Sequence, residues 1–250
     1  MVAPQLERFL EAPLRSLAAR AEKVVLIETA GLTLHRYRES GLWPPAGGSH
    51  GGHGTEPEAQ TALAERGGHQ GHGHAGGEHD PHIWLDPDNA RILTGRIAAA
   101  LSAAFPEHAA LYARNAAQTA QRLDALRQEM TAQLSPLAGI PFLVFHDAFQ
   151  YLEKRFSLSS VGALALDPAR QPGAARIAQI RRAIARLGVA CIFSEPQFRP
   201  GLIRQIVRDT GVRSGVLDPL GVGLESGPDL YFLMMRGNAE ALRACLQGAN

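Results

Sequence analysis

The chain has 250 residues, of which 45% are hydrophobic and 20% charged, and its formal net charge at pH 7 is +1. This composition is ordinary for a globular protein with one large or two small domains and a real hydrophobic core. The small net charge gives no sign of a nucleic-acid or anionic-membrane partner. No stretch reaches the roughly 18 apolar residues that a membrane-spanning helix needs, so we expect no membrane insertion.

The N-terminal residues read as an amphipathic helix rather than a secretory signal. Five large apolar residues recur mostly at three- and four-residue steps: Leu6, Phe9, Leu10, Leu14 and Leu17. This periodicity predicts a helix over residues 1–20. A signal peptide would instead combine a basic start, an apolar run and a small-residue cleavage site, so we expect no export signal in this chain. The short apolar run at residues 23–28 predicts a strand.

Residues 46–81 consist mainly of Gly, His, Glu and Ala, with almost no large apolar side chains. Such a segment cannot bury a core, so we predict a mobile loop. Seven of the ten histidines lie between His50 and His82, and neutral imidazole is a good ligand for zinc, copper and nickel. Because their spacing is irregular, we expect weak and promiscuous metal binding; the alternative is a solvated linker without a metal role. Four of these candidates stand among glycines and acidic residues: His69, His72, His74 and His79.

Two helices are predicted after this loop. Alanine-rich stretches with helical periodicity cover residues 88–104 and 106–135. Pro106 suits the first position of the second helix, where a missing backbone N–H costs nothing. Apolar residues at helical spacing would form the buried stripe of this second helix: Leu111, Leu123, Leu126, Met130 and Leu134.

The second half of the chain alternates between strands and helices. The predicted strands cover residues 141–145, 160–166, 189–193 and 215–217. The predicted helices cover residues 147–155, 171–187, 200–210 and 229–247. This alternation predicts an α/β fold with a parallel sheet and helices on both faces. The first half has too few strands for a complete domain of this kind.

His82 closes the histidine-rich segment and opens the motif HIWLDP. The apolar IWL should dock into the core, and Asp86 or Asp88 can cap the helix that follows. A histidine at such an anchored junction has a fixed position, as a tight metal site requires. A surface or core histidine without a metal role fits the same position.

Three candidate ligands follow predicted strands. His146 comes directly after PFLVF, Glu195 comes after VACIFS, and Asp218 follows the last strand. Open α/β sheets bind their ligands at the carboxyl ends of strands, so these side chains should converge. Asp147 can accept from a ring N–H or cap the next helix. Helix capping or a structural ion pair is the alternative role for Glu195 and Asp218.

Catalytic interpretations are weaker. Ser194, His146 and Asp218 could form a triad on paper, but Ser194 lies in FSEPQF, which lacks the glycines of a nucleophile elbow. The chain also has no HExxH, no P-loop and no GxGxxG that follows a strand. The two cysteines, Cys191 and Cys245, are too far apart for a CxxC motif, so two buried thiols and one disulfide both remain open.

Five motifs occur in a fixed order along the chain: HIWLDP, VFHDAFQYLEKRF, LDPARQPGA, ACIFSEPQF and VLDPLG. Together with the His-rich loop before HIWLDP, they resemble the zinc-uptake substrate-binding proteins of ABC importers, a cluster that also holds manganese binders. The resemblance implies two α/β lobes, one long connecting helix, and a metal cleft between the lobes. It places a partial first lobe at residues 1–105, the connector at 106–137 and the second lobe at 138–250.

The resemblance also implies roles for single residues. His82 and His146 match two of the family's imidazole ligands, and Asp218 matches a position that supplies a carboxylate in manganese-type relatives. Glu195 is a weaker candidate ligand. Cys191 and Cys245 match a pair that some zinc members join as a disulfide, so we expect this bond in exported protein.

The family begins with a signal peptide, opening strands and a first histidine ligand, all of which precede the segment that aligns with Met1. We therefore expect an N-terminally shortened chain with an incomplete first lobe. If this chain binds zinc tightly, a residue such as His35 or His79 would have to supply the third ligand.

The resemblance implies a monomeric protein, periplasmic in its full-length form, that captures Zn²⁺ and delivers it to the membrane permease of an ABC importer without catalysis. Mn²⁺ is less expected, because imidazoles outnumber carboxylates at the proposed site. One alternative is a zinc-dependent hydrolase with Glu195 as general base. The other is a cytosolic zinc buffer that acts through the His-rich loop alone.

Overall fold

The second half of the chain contains a parallel four-stranded sheet. The structure is a computed structural model and describes residues 1–4, 6–17, 20–38, 41–43, 78–165 and 172–248. The strands are β1 (Pro141–His146), β2 (Ser159–Ala165), β3 (Cys191–Ser194) and β4 (Arg213–Val216). Their order in the sheet is β2-β1-β3-β4. The predicted α/β class with a parallel sheet is therefore confirmed.

Seven α-helices lie within the described ranges. They are α1 (Glu11–Ser16), α2 (Pro87–Ala104), α3 (Ala109–Leu134), α4 (Gln150–Arg155), α5 (Ala174–Leu187), α6 (Gly201–Thr210) and α7 (Leu230–Gln247). Short 3₁₀ helices cover Arg8–Leu10, Leu26–Glu28, Ile83–Leu85, Pro106–His108 and Ser135–Leu137. None of these helices is long and apolar enough to cross a bilayer.

The predicted elements of the second half match the structure within a few residues, but two predictions near the N-terminus were wrong. The strand predicted at residues 23–28 is absent. The N–H groups of Leu26 and Ile27 donate to the carbonyls of Met1 and Val2, and the chain then closes the 3₁₀ turn Leu26–Glu28. Of the helix predicted over residues 1–20, the described residues 1–4, 6–17 and 20 contain the 3₁₀ turn Arg8–Leu10 and α1.

The sheet buries a separate apolar cluster on each face. Alternate strand residues point to opposite sides, so Phe142 and Phe193 pack toward α3, α4 and α7, while Leu143 and Ile192 pack toward α5 and α6. Helices on both faces are what the strand–helix alternation predicted. This packing fixes the carboxyl ends of β1 and β3, where two of the candidate site residues lie.

The long helix α3 lies beside α2 and α7 and contributes to the larger apolar cluster. Of its predicted stripe, Leu123, Leu126, Met130 and Leu134 are buried, whereas Leu111 near the first turn is exposed. The domain boundaries predicted at residues 105/106 and 137/138 fall just before and just after this helix and its flanking 3₁₀ turns. They remain predictions.

A short segment, residues 41–43, runs antiparallel to the β2 edge. The Trp43 N–H donates to the Val161 carbonyl at 2.9 Å, and the Ala163 N–H donates to the Gly41 carbonyl at 2.8 Å. Gly162 lies between these bonds, and a Cβ atom there would approach the Gly41 oxygen to 2.5 Å. The residue must be glycine for the segment to pair this closely.

The two cysteines form a disulfide, with a Cα–Cα distance of 6.0 Å between Cys191 in β3 and Cys245 in α7. The expected pairing is therefore confirmed. The bond ties the sheet to the C-terminal helix on the face that carries the larger apolar cluster.

Candidate metal site

Two imidazoles face each other at the carboxyl end of β1. His146 is the last residue of β1, and His82 directly precedes the 3₁₀ turn Ile83–Leu85. Their ring centroids are 5.4 Å apart, with an interplanar angle of 66°. The structure thus brings together two residues that are separated by 64 positions and that the sequence predicted as ligands.

His82 has a fixed position because the chain on both sides of it is anchored. Ile83 and Leu85 are fully buried, as the HIWLDP motif predicted. The Asp86 carboxylate accepts from the Asp88 N–H and caps α2, and the Arg155 guanidinium binds the same carboxylate through two nitrogens, at 2.8 and 2.7 Å. The 3₁₀ turn therefore cannot shift without breaking core contacts and this ion pair.

A buried carboxylate lies behind His82. The Nδ1 atom of His82 is 2.7 Å from Oδ1 of Asp80, and the His82 backbone N–H donates to the same oxygen at 3.0 Å. Asp80 is only 1% exposed. Asp80 was not among the residues predicted from the sequence, although a carboxylate two residues before a candidate histidine ligand is a signal for such a role.

His146 has the same arrangement. Its Nδ1 atom is 2.7 Å from Oε1 of Glu195, and its backbone N–H donates to the same oxygen at 3.3 Å. The other Glu195 oxygen accepts from the Gln197 side chain at 2.9 Å. Glu195 is 2% exposed, so the carboxylate is buried between these donors. The predicted convergence of the ends of β1 and β3 is observed, with Glu195 lying behind the imidazole.

These contacts determine which ring nitrogen of each histidine is free. An ionised carboxylate can only accept a hydrogen bond, so a neutral imidazole in this contact carries its proton on Nδ1. The Nε2 lone pair of each imidazole remains available for a metal ion. Histidine ligands of zinc are usually held by a carboxylate or carbonyl in this way, which fixes the ring and raises the basicity of the ligand.

Asp218 lies on the next strand end but is engaged in a turn. Its Oδ1 atom accepts from the N–H groups of Leu220 and Gly221, both at 2.9 Å. Pro219 accepts from the Trp84 indole at 2.8 Å, which places this turn beside the HIWLDP segment. The ligand role of Asp218 remains a prediction. Within the described ranges, no group of three or more His, Cys, Asp or Glu side chains is close enough together to hold a metal.

Of the remaining candidate histidines, two lie within the described residues and three lie outside them. His79 forms an isolated antiparallel bridge with Arg36, and the His35 ring stacks on the Tyr151 ring at 4.8 Å between centroids. Burial lowers the pKa of His35, which favours its neutral form. His69, His72 and His74 lie outside the described residues.

Asp147 takes a role that the sequence did not predict. It binds the Arg38 guanidinium at 3.0 Å instead of a ring N–H, and α4 begins without a side-chain cap. Arg38 also binds the buried Glu153 at 2.5 Å and lies over the Trp43 ring at 3.9 Å. Burial raises the pKa of Asp147 to about 7, although Arg38 lowers it. The cluster anchors Arg38 and Trp43 to the unit that carries His146.

Comparisons with known proteins identify the family of this chain. Residues 3–245 match the family described as zinc-uptake complex component A, periplasmic. The high-affinity zinc uptake system protein ZnuA of Brucella abortus is 44% identical over 97% of this chain and 75% of its own length. A mutant of the laminin-binding adhesin of Streptococcus agalactiae superposes with a TM-score of 0.70 at 24% identity, over 98% of this chain and 78% of that one.

A zinc-bound variant of AdcAII from Streptococcus pneumoniae has the same fold, with a TM-score of 0.67 at 23% identity over 96% of this chain and 78% of that one. These structural matches are too distant in sequence to carry more than the fold. The family match covers nearly the whole chain. The Brucella relative is 44% identical over 97% of the chain, which is much closer than proteins that share only a fold. The chain therefore belongs to the periplasmic component A family of zinc-uptake complexes.

Proposed function

We propose that this chain captures Zn²⁺ in the periplasm, as a monomer, and delivers it to the membrane permease of an ABC importer. The observation that carries the proposal is the facing pair His82 and His146, each with Nδ1 engaged by a buried carboxylate and Nε2 free. The names of the zinc-uptake relatives support the same ion. The zinc is cargo, so the site needs to hold it and release it without chemical change.

Ligand chemistry favours zinc over manganese. Zinc accepts nitrogen ligands in tetrahedral geometry, whereas manganese prefers carboxylate, carbonyl and water oxygens. The two imidazoles supply nitrogen, and we propose that Asp218 or solvent completes the coordination. Asp80 and Glu195 lie behind the rings and partly balance the charge of the cation.

The two alternatives gain no support. A zinc-dependent hydrolase needs a general base beside the metal-bound water. Glu195 was the candidate base, but its oxygens already accept from His146 and Gln197. A buffer that used only the His-rich loop would not need the paired imidazoles at β1. We therefore propose a binding protein and not an enzyme.

Competition titration with a chelating dye tests this proposal. Replacement of either imidazole, His82→Ala or His146→Ala, should weaken zinc binding by more than about 100-fold, since loss of a mere supporting partner already costs 10–100-fold. His108→Ala is the matched control, because His108 is exposed in a remote 3₁₀ turn. Unchanged affinity in both site variants would refute the assignment.

A further inference from the structure

The carboxylate that orients His82 is itself held by helix α4. The Gln150 side-chain Nε2 donates to Oδ2 of Asp80 at 3.3 Å and to the Arg36 carbonyl at 3.1 Å. Both Gln150 and Asp80 are almost fully buried, at 2% and 1% exposed. The two oxygens of Asp80 are therefore divided, Oδ1 toward His82 and Oδ2 toward Gln150.

The backbone of Asp80 is held by the next residue of the same helix. The Tyr151 hydroxyl donates to the Asp80 carbonyl at 2.8 Å and accepts from the His35 N–H at 3.1 Å. The Asp80 N–H donates to the His35 carbonyl at 2.8 Å, which closes the arrangement. Tyr151 is fully buried, so its hydroxyl has no water to replace these partners.

Helix α4 begins four residues after His146, which ends β1. One rigid unit, β1 with α4, therefore carries His146 directly and holds His82 through Asp80. Binding sites need their ligands within about 0.5 Å of the productive geometry. On the C-terminal side of His82 the buried Ile83–Leu85 turn supplies this precision, and on its N-terminal side the contacts of Asp80 with α4 supply it.

We propose that Gln150 and Tyr151 are positioning residues for zinc capture: they fix Asp80 to α4 and thereby set the tautomer and orientation of the His82 ring opposite His146. This inference rests on the proposed function, because it concerns the same site. Neither residue touches the metal. Their effect on zinc passes through Asp80, so loss of their polar groups alters His82 while His146, held separately by Glu195, stays in place.

The test compares Gln150→Met and Tyr151→Phe with the wild-type chain, and each variant removes a polar group while nearly keeping the volume. Zinc affinity should fall 10–100-fold in each, as it does when outer partners of metal-bound histidines are lost. Long-range ¹H–¹⁵N NMR should show a changed His82 tautomer signal with an unchanged His146 signal. A merely structural defect would disturb both rings or neither.

Gln133→Met and Tyr112→Phe are matched controls on α3 and should change neither zinc affinity nor the two ring signals. If His82→Ala abolishes binding while Gln150→Met and Tyr151→Phe retain wild-type affinity and ring signals, the positioning role is overturned and the proposed function stands. If His82→Ala has no effect, this inference is overturned, and if His146→Ala has none either, the proposed function fails as well. The two variants are independent, so a folding failure in one leaves the other as the test.

Discussion

Each imidazole of the site is backed by a carboxylate that is satisfied before any metal arrives. Asp80 accepts from the backbone and ring of His82 and from Gln150. Glu195 accepts from the backbone and ring of His146 and from Gln197. An unpaired buried carboxylate would be costly, and three donors each remove that cost. The free Nε2 atoms are therefore preorganised, and zinc capture need not wait for side chains to rearrange.

The charge of Glu195 can be tested without removing its hydrogen-bonding shape. Glu195→Gln keeps an oxygen that can accept from His146 Nδ1 but removes the negative charge behind the ring. We expect zinc affinity to fall about 10-fold or more, because the imidazole becomes a poorer ligand. Competition titration measures this, with Glu129→Gln as the control, since Glu129 is exposed on α3 and pairs with Arg236. Equal losses in both variants would contradict a specific role for Glu195.

At the scale of secondary-structure elements, a substitution in the edge strand β2 tests how tightly residues 41–43 pair with it. Gly162→Ala places a Cβ atom 2.5 Å from the Gly41 carbonyl oxygen, so either this segment or β2 must move. We expect a loss of about 1–3 kcal/mol in the free energy of unfolding, as for other overpacked sites. Denaturant unfolding provides the measurement.

The matched control for this substitution is Gly95→Ala in α2. A Cβ atom at Gly95 meets nothing within 4 Å, and the residue lies inside a helix. Alanine should therefore stabilise the chain by up to about 1 kcal/mol. If both variants changed stability in the same direction, the close approach at Gly162 would not be the cause.

The disulfide between β3 and α7 should be a large single contributor to stability. It joins Cys191 and Cys245, which are 54 residues apart in sequence. A closed loop of that length restricts the unfolded chain by roughly 4 kcal/mol in the chain-entropy model. The variant Cys191→Ala/Cys245→Ala should have a clearly lower Tm than the oxidised chain. Reductant should not lower the Tm of this variant further, because it has no disulfide. An equal Tm in both forms would argue against this contribution.

The elements of the second half could be predicted because local signals agreed with the tertiary fold. Gly188 ends α5 in a left-handed conformation with φ of 60°, and strand–helix alternation repeats at regular intervals. The strand predicted at residues 23–28 was wrong because its pairing with Met1 and Val2 stops at the 3₁₀ turn Leu26–Glu28, and hydropathy carries no information about how far pairing extends. Asp147 failed for a similar reason: its partner, Arg38, lies 109 residues away.

The candidate site was predictable in part. His82 and His146 were identified from their anchored positions and from the motifs that contain them. The groups that support these histidines were not identified, because Gln150 and Tyr151 come within hydrogen-bond distance of Asp80 only in the folded chain. Glu195 was placed at the correct edge of the sheet, but sequence alone could not separate a ligand from a carboxylate that orients one.

At the scale of the whole molecule, the site joins a segment of the first half to the sheet of the second. Contacts that involve no metal already hold these parts together: Trp84 donates to Pro219, Tyr231 donates to Trp84, and Arg155 binds Asp86. Tyr231 is held so deeply that burial raises its pKa well above the usual range. Zinc binding therefore adds a bond across an existing interface. Such a bond stabilises the folded chain in proportion to the logarithm of zinc concentration over Kd.

Anomalous diffraction at the zinc absorption edge, from crystals of this chain grown with zinc, tests the central claim most directly. We expect the strongest anomalous peak between the two rings, about 2.0–2.1 Å from Nε2 of both His82 and His146. The same map would reveal whether Asp218 reaches the ion. A dominant peak elsewhere in the molecule, or one bound through Nδ1, would contradict the account.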